Sequence, residues 1–301
     1  MRTTKSPTRL LLAAHELGRR VLRRYWHRHA PKKFTLPQLF ACLVLKEFYR
    51  LDYRKLQTLL EESPSLAAAI GLASVPHFTT FQKAAQRLLE NRRVQRMLDA
   101  SVAMGQELSL LGRRSPLAAL DATGLESSTA SRYYSRRRQG AVLQGKQAKY
   151  AAYHDFPKLA VVSDCHSHLV LAVVHDRGPS SDHRHFRAAF DQAHRRLPIQ
   201  TLLADAGYHS EGAHLHCRGA CGVRSLIPAA RLSKQGRPPR GRWRRVMAQR
   251  LHLTRYAQRA QVETTISLLK RLLGSQLRTR KRANQRRETS LRVLTLNLMI
   301  L

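Results

Sequence analysis

"LAALDATGL", Leu117–Leu125, is where the pattern of this 301-residue chain changes. The run is apolar on both sides of one acid, Asp121. Buried strands run about 4–8 residues and helices about 10 or more, so a stretch this brief reads as a buried strand. Everything before it reads as helix. "SPTRLLLAAHELGRRVLRRYW" carries Leu at helical spacing behind a Ser6-Pro7 start, and "TLPQLFACLVLKEFYR" opens in the same way at Thr35 and Pro37. "DYRKLQTLLEES" from Asp52 and "FTTFQKAAQRLLENRRVQRMLDASVAMG" from Phe78 continue the pattern, with "VPHF" as a turn between them.

After Leu125 the strands accumulate. "KLAVVSDC" and "HLVLAVVHD" flank the turn "HSH" and predict a β-hairpin. "DHRHFRAAFDQAHRRL" from Asp182 is an amphipathic helix, and "IQTLLADAGYHS" from Ile199 is a strand ending in an acid. "EGAHLHCRGACG" from Glu211 reads as a helix with a glycine stop, and "VRSLIPAA" from Val223 as a fifth strand. A basic loop, 231–250, then precedes a long helix carrying "YAQRAQVETTISLLKR", Tyr256–Arg271. The expected fold is α/β: a mixed five-stranded sheet with flanking helices, behind an all-α N-terminal domain. The expected division is a helical domain over 1–113 and an α/β domain over 114–301, to which the charge and motifs below give DNA-binding or dimerising and catalytic roles respectively.

Charge narrows the function. The net charge is +35, with hydrophobic residues at 43%, which excludes wholesale disorder. So basic a soluble protein repels itself unless it meets a polyanion, of which nucleic acid is the commonest. No apolar run approaches the roughly 18 residues of a membrane span. The N-terminal apolar run is short and is followed by Glu16 and more arginine, unlike a signal peptide. Four scattered cysteines, Cys42, Cys165, Cys217 and Cys221, fit a reducing, cytoplasmic setting.

Within 231–288 there are 18 Lys or Arg and two acids, Glu263 and Glu288. The first and fourth strands are expected to be neighbours, which brings Asp121 beside Asp205, with the closing helix laying Glu263 over them. Three converging carboxylates can hold two divalent cations about 3.5–4 Å apart, and oxygen-only ligands favour Mg²⁺ or Mn²⁺ over zinc. Taken singly, each acid has a plainer reading: a turn or cap for Asp, one half of an i,i+4 ion pair for Glu263. On one continuous helix Tyr256, Arg259, Glu263 and Lys270 share a polar stripe, while Val262, Ile266 and Leu269 face the core.

The spacing Tyr256-x2-Arg259-x3-Glu263-x6-Lys270 resembles the Tyr–Arg–Glu–Lys signature of prokaryotic insertion-sequence transposases of the DDE type, the group around insertion-sequence family four. "LDATGLESS" resembles the first-aspartate block of that group and "ADAGYHS" the second, with Gly207 and Tyr208 after the acid. Pro179, Ser180 and Asp182 also resemble the segment that follows the third strand. The resemblance covers roughly residues 114–301. It implies a ribonuclease-H-like domain with Asp121, Asp205 and Glu263 as ligands for two Mg²⁺ ions. It also implies phosphate contacts from Tyr256, Arg259 and Lys270, double-stranded DNA as substrate, a homodimer on that DNA, and a nucleoid-associated location. Members of the group carry a β insertion before the glutamate, with a Trp that stacks on a flipped base. This chain offers only 231–250, where Trp243 is the candidate.

Other clusters are read more plainly. The acid-free segment 127–154, with Arg136, Arg137, Arg138, Lys146 and Lys149, is expected to line a groove for the DNA backbone, and "RTRKRANQRR" from Arg278 is similar. His214, His216, Cys217 and Cys221 invite a zinc reading, but a packing helix is favoured there. His166 and His168 are expected at the surface, and Glu126 and Asp164 are given no role. Two rivals stand beside a transposase: a structure-selective nuclease of the same fold, and a non-catalytic, repurposed DNA-binding protein.

Overall fold

The computed structural model describes residues 3–127, 156–178, 180–229 and 239–301. Two compact units result: 1–111 with 268–274 and 281–301, and 112–267 with 275–280. The last segment, expected in the second domain, groups with the N-terminal helices instead.

The helical unit begins with α1 (Pro7–Val21), α2 (Leu36–Phe48), α3 (Tyr53–Glu62), α4 (Pro64–Ala69), α5 (Phe78–Leu88) and α6 (Asn91–Glu107). Its helix starts follow local chemistry. The Ser6 hydroxyl accepts from Arg9 N ahead of Pro7, Thr35 and Gln38 form a reciprocal capping box, and Asp52 accepts from Lys55 N at 2.8 Å. The single helical pattern read from Phe78 breaks at Glu90, whose backbone is extended. The final helix of the chain buries 13 of its 19 residues, and α2 buries ten of thirteen. Helices buried on most of their sides belong at the centre of a bundle. Arg292 lies inside this core and donates to Glu47 at 3.0 Å and to Glu288 at 2.7 Å.

The second unit is built on β1 (Ala118–Gly124), β3 (Phe156–Asp164), β4 (Val170–Gly178), β5 (Thr201–Ala204) and β6 (Arg224–Leu226). They form one sheet in the order β4-β3-β1-β5-β6. β3 pairs antiparallel with both β1 and β4, whereas β1–β5 and β5–β6 are parallel, as a hairpin followed by helical crossovers requires. A separate pair not foreseen from sequence joins β2 (Glu126–Ser127) to β7 (Gln276–Leu277). The hairpin turn is organised by Asp164, whose buried carboxylate accepts from Ser115 Oγ, Ser167 Oγ and the amides of His166 and Ser167. The left-handed turn residue His168 is buried, contrary to expectation, and its Nδ1 lies 3.1 Å from Thr265 Oγ1.

The remaining helices are α7 (Phe186–Arg196), α8 (Glu211–Leu215), α9 (Arg242–Arg250), α10 (Leu253–Ala257), α11 (Ala260–Leu273) and α12 (Arg282–Ile300). The expected basic loop over 231–250 is thus helical from Arg242. That helix starts where the Glu211 carboxylate accepts from the amides of Trp243 and Arg244, both at 3.1 Å. Gly241 precedes it at φ +100, with a Cβ position only 2.3 Å from Glu211 Oε2, so glycine is required there. Likewise, "RTRKRANQRR" is helical from Arg282 on, with Gln285 buried, as is Glu288 just after it.

Candidate active site

Parallel register places two acids side by side. Leu120 pairs with Ala204 across β1 and β5, so Asp121 and Asp205 occupy the next position on adjoining chains. Adjacent strands stand about 4.8 Å apart, and residues in register point to the same face. β5 ends at Ala204; Asp205 is exposed, and its carboxylate accepts from Ala206 N at 2.7 Å. Asp121 is half-buried and accepts from Ala122 N at 2.9 Å.

The third acid comes from α11. Val262, Thr265 and Ile266 bury one side of that helix, and Thr265 ties it to His168 on the β3–β4 turn. Glu263 lies beside that buried side, with 52% of its side chain exposed, and accepts from Arg259 Nη2 at 2.6 Å. The ordinary i,i+4 ion pair is therefore present.

Electrostatics link the group. Burial raises the Asp121 carboxyl above its ordinary value; the Ala122 amide and Arg259 oppose this, and Glu263 and Asp205 add to it. Arg259 in turn is coupled to Tyr256, Glu263 and Asp205, which together outweigh burial and hold its guanidinium charged. The trio is nonetheless open. Among the described residues, the one set of three ligand side chains with donor atoms all within 4.8 Å of one another lies elsewhere, at Asp191, His216 and Cys221.

The expected single stripe is corrected in one respect. Tyr256 belongs to the short helix α10, and Arg259 lies in a turn before α11. The joint is bridged by i→i+3 bonds, Arg259 N to Tyr256 O at 2.9 Å and Val262 N to Arg259 O at 3.1 Å, in place of the α-helical i→i+4 bonds. Tyr256 is still close enough for the Arg259 charge to favour its ionised form, although burial raises the hydroxyl overall. Lys270 sits two turns beyond Glu263 on α11, in the part assigned to the helical unit. Trp243 lies in α9 with the Arg218 guanidinium 4.2 Å and that of Arg242 5.0 Å from its ring centroid. Arg136, Arg137, Arg138, Lys146 and Lys149, with Pro179, fall outside the described residues.

Two neighbours were not singled out as site residues. Tyr208 is fully buried beside Phe186, and its hydroxyl has no hydrogen-bond partner among the described residues. Burial, with Asp182, Asp121 and Asp205 nearby, pushes that hydroxyl far above its ordinary value. Lys158 on β3 forms an ion pair with Asp182. Only the Gly207-Tyr208 pair after Asp205 signalled any of this in the sequence.

A mixed sheet with paired aspartates on adjoining parallel strands, faced by a glutamate helix, is the frame of a phosphodiester-processing domain of the DDE class. The chain belongs to the transposase DDE domain family, whose model matches residues 112–298. No curated protein matches the chain. Membership makes this a transposase-type nuclease, with a divalent-metal requirement general to such domains. Among the described residues, no helix is long and apolar enough to cross a membrane.

Proposed function

We propose that this chain is the transposase of an insertion sequence, of the group with the Tyr–Arg–Glu–Lys signature. It would cut double-stranded DNA at the element's ends and join the freed 3′-hydroxyl to target DNA. The observation that carries the reading is the β1–β5 register, which sets Asp121 and Asp205 side by side on a ribonuclease-H-like sheet.

The residues fit a pair of Mg²⁺ ions, with Mn²⁺ as substitute. Asp121, Asp205 and Glu263 are the proposed ligands, an oxygen-only set. Burial chiefly raises the Asp121 carboxyl, and the nearby Glu263 and Asp205 add to it, so a cation among them would relieve part of that cost. When bound, such ions supply activation of the attacking oxygen and stabilisation of the leaving one. The chain's own groups do the holding. Tyr256, Arg259 and Lys270 are the proposed phosphate contacts, Arg259 with a planar fork that suits phosphate oxygens. Trp243 and the basic residues Arg136, Arg137, Arg138, Lys146 and Lys149 are proposed to follow the DNA beyond the scissile bond. Two element ends must be paired, so a homodimer on DNA is proposed, with nucleoid association following from DNA binding.

The test is a set of single Ala substitutions at Asp121, Asp205 and Glu263, assayed with Mg²⁺ on DNA bearing the ends of the element. DNA binding should persist while cleavage and strand transfer disappear. Full activity in any one variant refutes the assignment. Hydrolysis by the unmodified chain without strand transfer would identify a nuclease instead.

A further inference from the structure

Away from the acidic trio, three metal-ligating groups from two distant stretches of chain meet at one point. Asp191 is on α7; His216 opens the five-residue π-helix His216–Ala220 and Cys221 follows it, leading toward β6. His216 Nε2 lies 2.5 Å from Asp191 Oδ1, and the Cys221 sulfur completes a set whose donor atoms all lie within 4.8 Å of one another.

The local backbone explains the meeting. On an α-helix, residues five apart differ by about 500°, which leaves them on different faces. A π-turn bonds i to i+5 and brings them back toward one side, and such turns recur at functional sites. The other residues of the segment are excluded by their positions. His214 Nδ1 is engaged with Ser225 Oγ at 2.8 Å, and Cys217 is fully buried. The ligand set is thus not one local motif; the sequence hides its third member 25 residues upstream.

The geometry points to a zinc site formed by Asp191, His216 and Cys221, with solvent at the fourth position. Zinc takes carboxylate oxygen, imidazole nitrogen and thiolate sulfur at about 2.0–2.3 Å, so tetrahedral ligands stand roughly 3.3–3.7 Å apart. The observed spacing reaches this with small side-chain adjustments. Thiolate and imidazole together favour Zn²⁺ over the Mg²⁺ that suits carboxylate-only sites. Side-chain exposures of 41% for Asp191 and 17% for His216 leave a path for the ion. Binding replaces the Cys221 thiol proton, which is released to solvent, and leaves His216 neutral with Nε2 on the metal. An ordinary His–carboxylate contact accounts for two members but not for the thiol. The ion would pin α7 to the π-turn beside β6, so that metal affinity adds to the stability of the second unit.

The experiment uses the purified full chain, stripped of metal with a chelator and re-exposed to Zn²⁺ or Co²⁺ in excess Mg²⁺. One zinc per chain should survive gel filtration, and the Co²⁺ form should show a thiolate-to-cobalt charge-transfer band. Cys221→Ser and His216→Ala should abolish both. Asp191→Asn should weaken Zn²⁺ affinity by at least the roughly 10–100-fold that follows loss of an outer-shell partner, because Asp191 contacts the ion directly. Cys217→Ser and Cys42→Ser should retain both signals. Absence of the band in the unmodified chain, which involves no variant that could misfold, overturns the site. So does unchanged binding in Cys221→Ser, or its loss in Cys217→Ser.

Discussion

Replacing Arg292 by Met should unfold the helical unit far more easily than any surface change. Arg292 is 2% exposed and donates to Glu47 at 3.0 Å, to Glu288 at 2.7 Å and to the carbonyl of Gly274 at 2.5 Å. Both carboxylates are themselves buried, at 3% and 7% exposure, and Lys46 reaches only Glu47, at 3.1 Å. Met fills similar volume, so the loss is electrostatic: two buried anions keep their desolvation cost without the guanidinium between them. Removing one partner of a buried pair costs about 3–5 kcal/mol. For a unit of this size that is a fall of about 10–20 °C in Tm. The chain has two tryptophans, Trp26 in the helical unit and Trp243 in the other. Fluorescence of Trp26 in a Trp243→Phe background, followed through urea, therefore reports the right unit. Adding Glu47→Gln and Glu288→Gln to Arg292→Met should recover much of the loss, because the two buried carboxylates that lost the guanidinium then carry no charge. A loss below about 1 kcal/mol for Arg292→Met alone would refute the view that this cluster is desolvated.

Other outcomes follow from the same structure. Burial alone would raise the Glu47 carboxyl, but Lys46 and Arg292 outweigh it and hold the group below 4.5. Its stabilisation is thus present above about pH 4.5 and lost as pH falls through the folded value, and urea midpoints of Glu47→Gln should show a flatter acid limb. The Asp121 carboxyl is raised in the fold, so its ionised form opposes folding above its ordinary titration range. Asp121→Asn should therefore leave Tm at pH 7 unchanged or raise stability by up to about 1 kcal/mol while ending Mg²⁺-dependent cleavage; a clear fall in Tm counts against the placement. Asp164→Ala strands the donors of the hairpin turn and should cost about 3 kcal/mol by urea titration, with a neutral result showing that water replaces them.

What the sequence disclosed depended on how local the cause was. β1 was legible because "LAAL" before Asp121 is an apolar run too short for a helix, and its neighbour β5 followed from the order of hairpin, helix and strand. The break between Tyr256 and Glu263 was not legible, because i→i+3 and i→i+4 turns keep nearly the same residue spacing. The grouping of α12 with the N-terminal helices was hidden for another reason. Its leading "RTRKRANQRR" looks like a solvated basic run, yet Arg292 further along the helix is neutralised by Glu288 and by Glu47, the latter some 240 residues away. Asp191 escaped notice for the same reason: nothing near it in the chain announces His216.

The Arg259–Glu263 pair bears on how readily the acidic trio could take up cations. A glutamate bound to arginine looks committed, which would weaken its candidacy as a ligand. The pair, however, is an i,i+4 contact with the glutamate 52% exposed, and such pairs contribute only about 0.3–0.5 kcal/mol. Releasing Glu263 thus costs little, while Asp121, raised by burial and by both neighbouring acids, gains from any cation placed among them. Arg259 is coupled to Asp205 as well as to Glu263, so in the free protein it neutralises part of the cluster without occupying its centre. Such an arrangement leaves the three like charges partly offset in the free protein. It also leaves the guanidinium free, once Glu263 turns away, to meet a phosphate on the same side. Arg259→Lys would test this balance: it keeps the charge but loses the planar fork, and so should impair DNA cleavage more than it alters Tm.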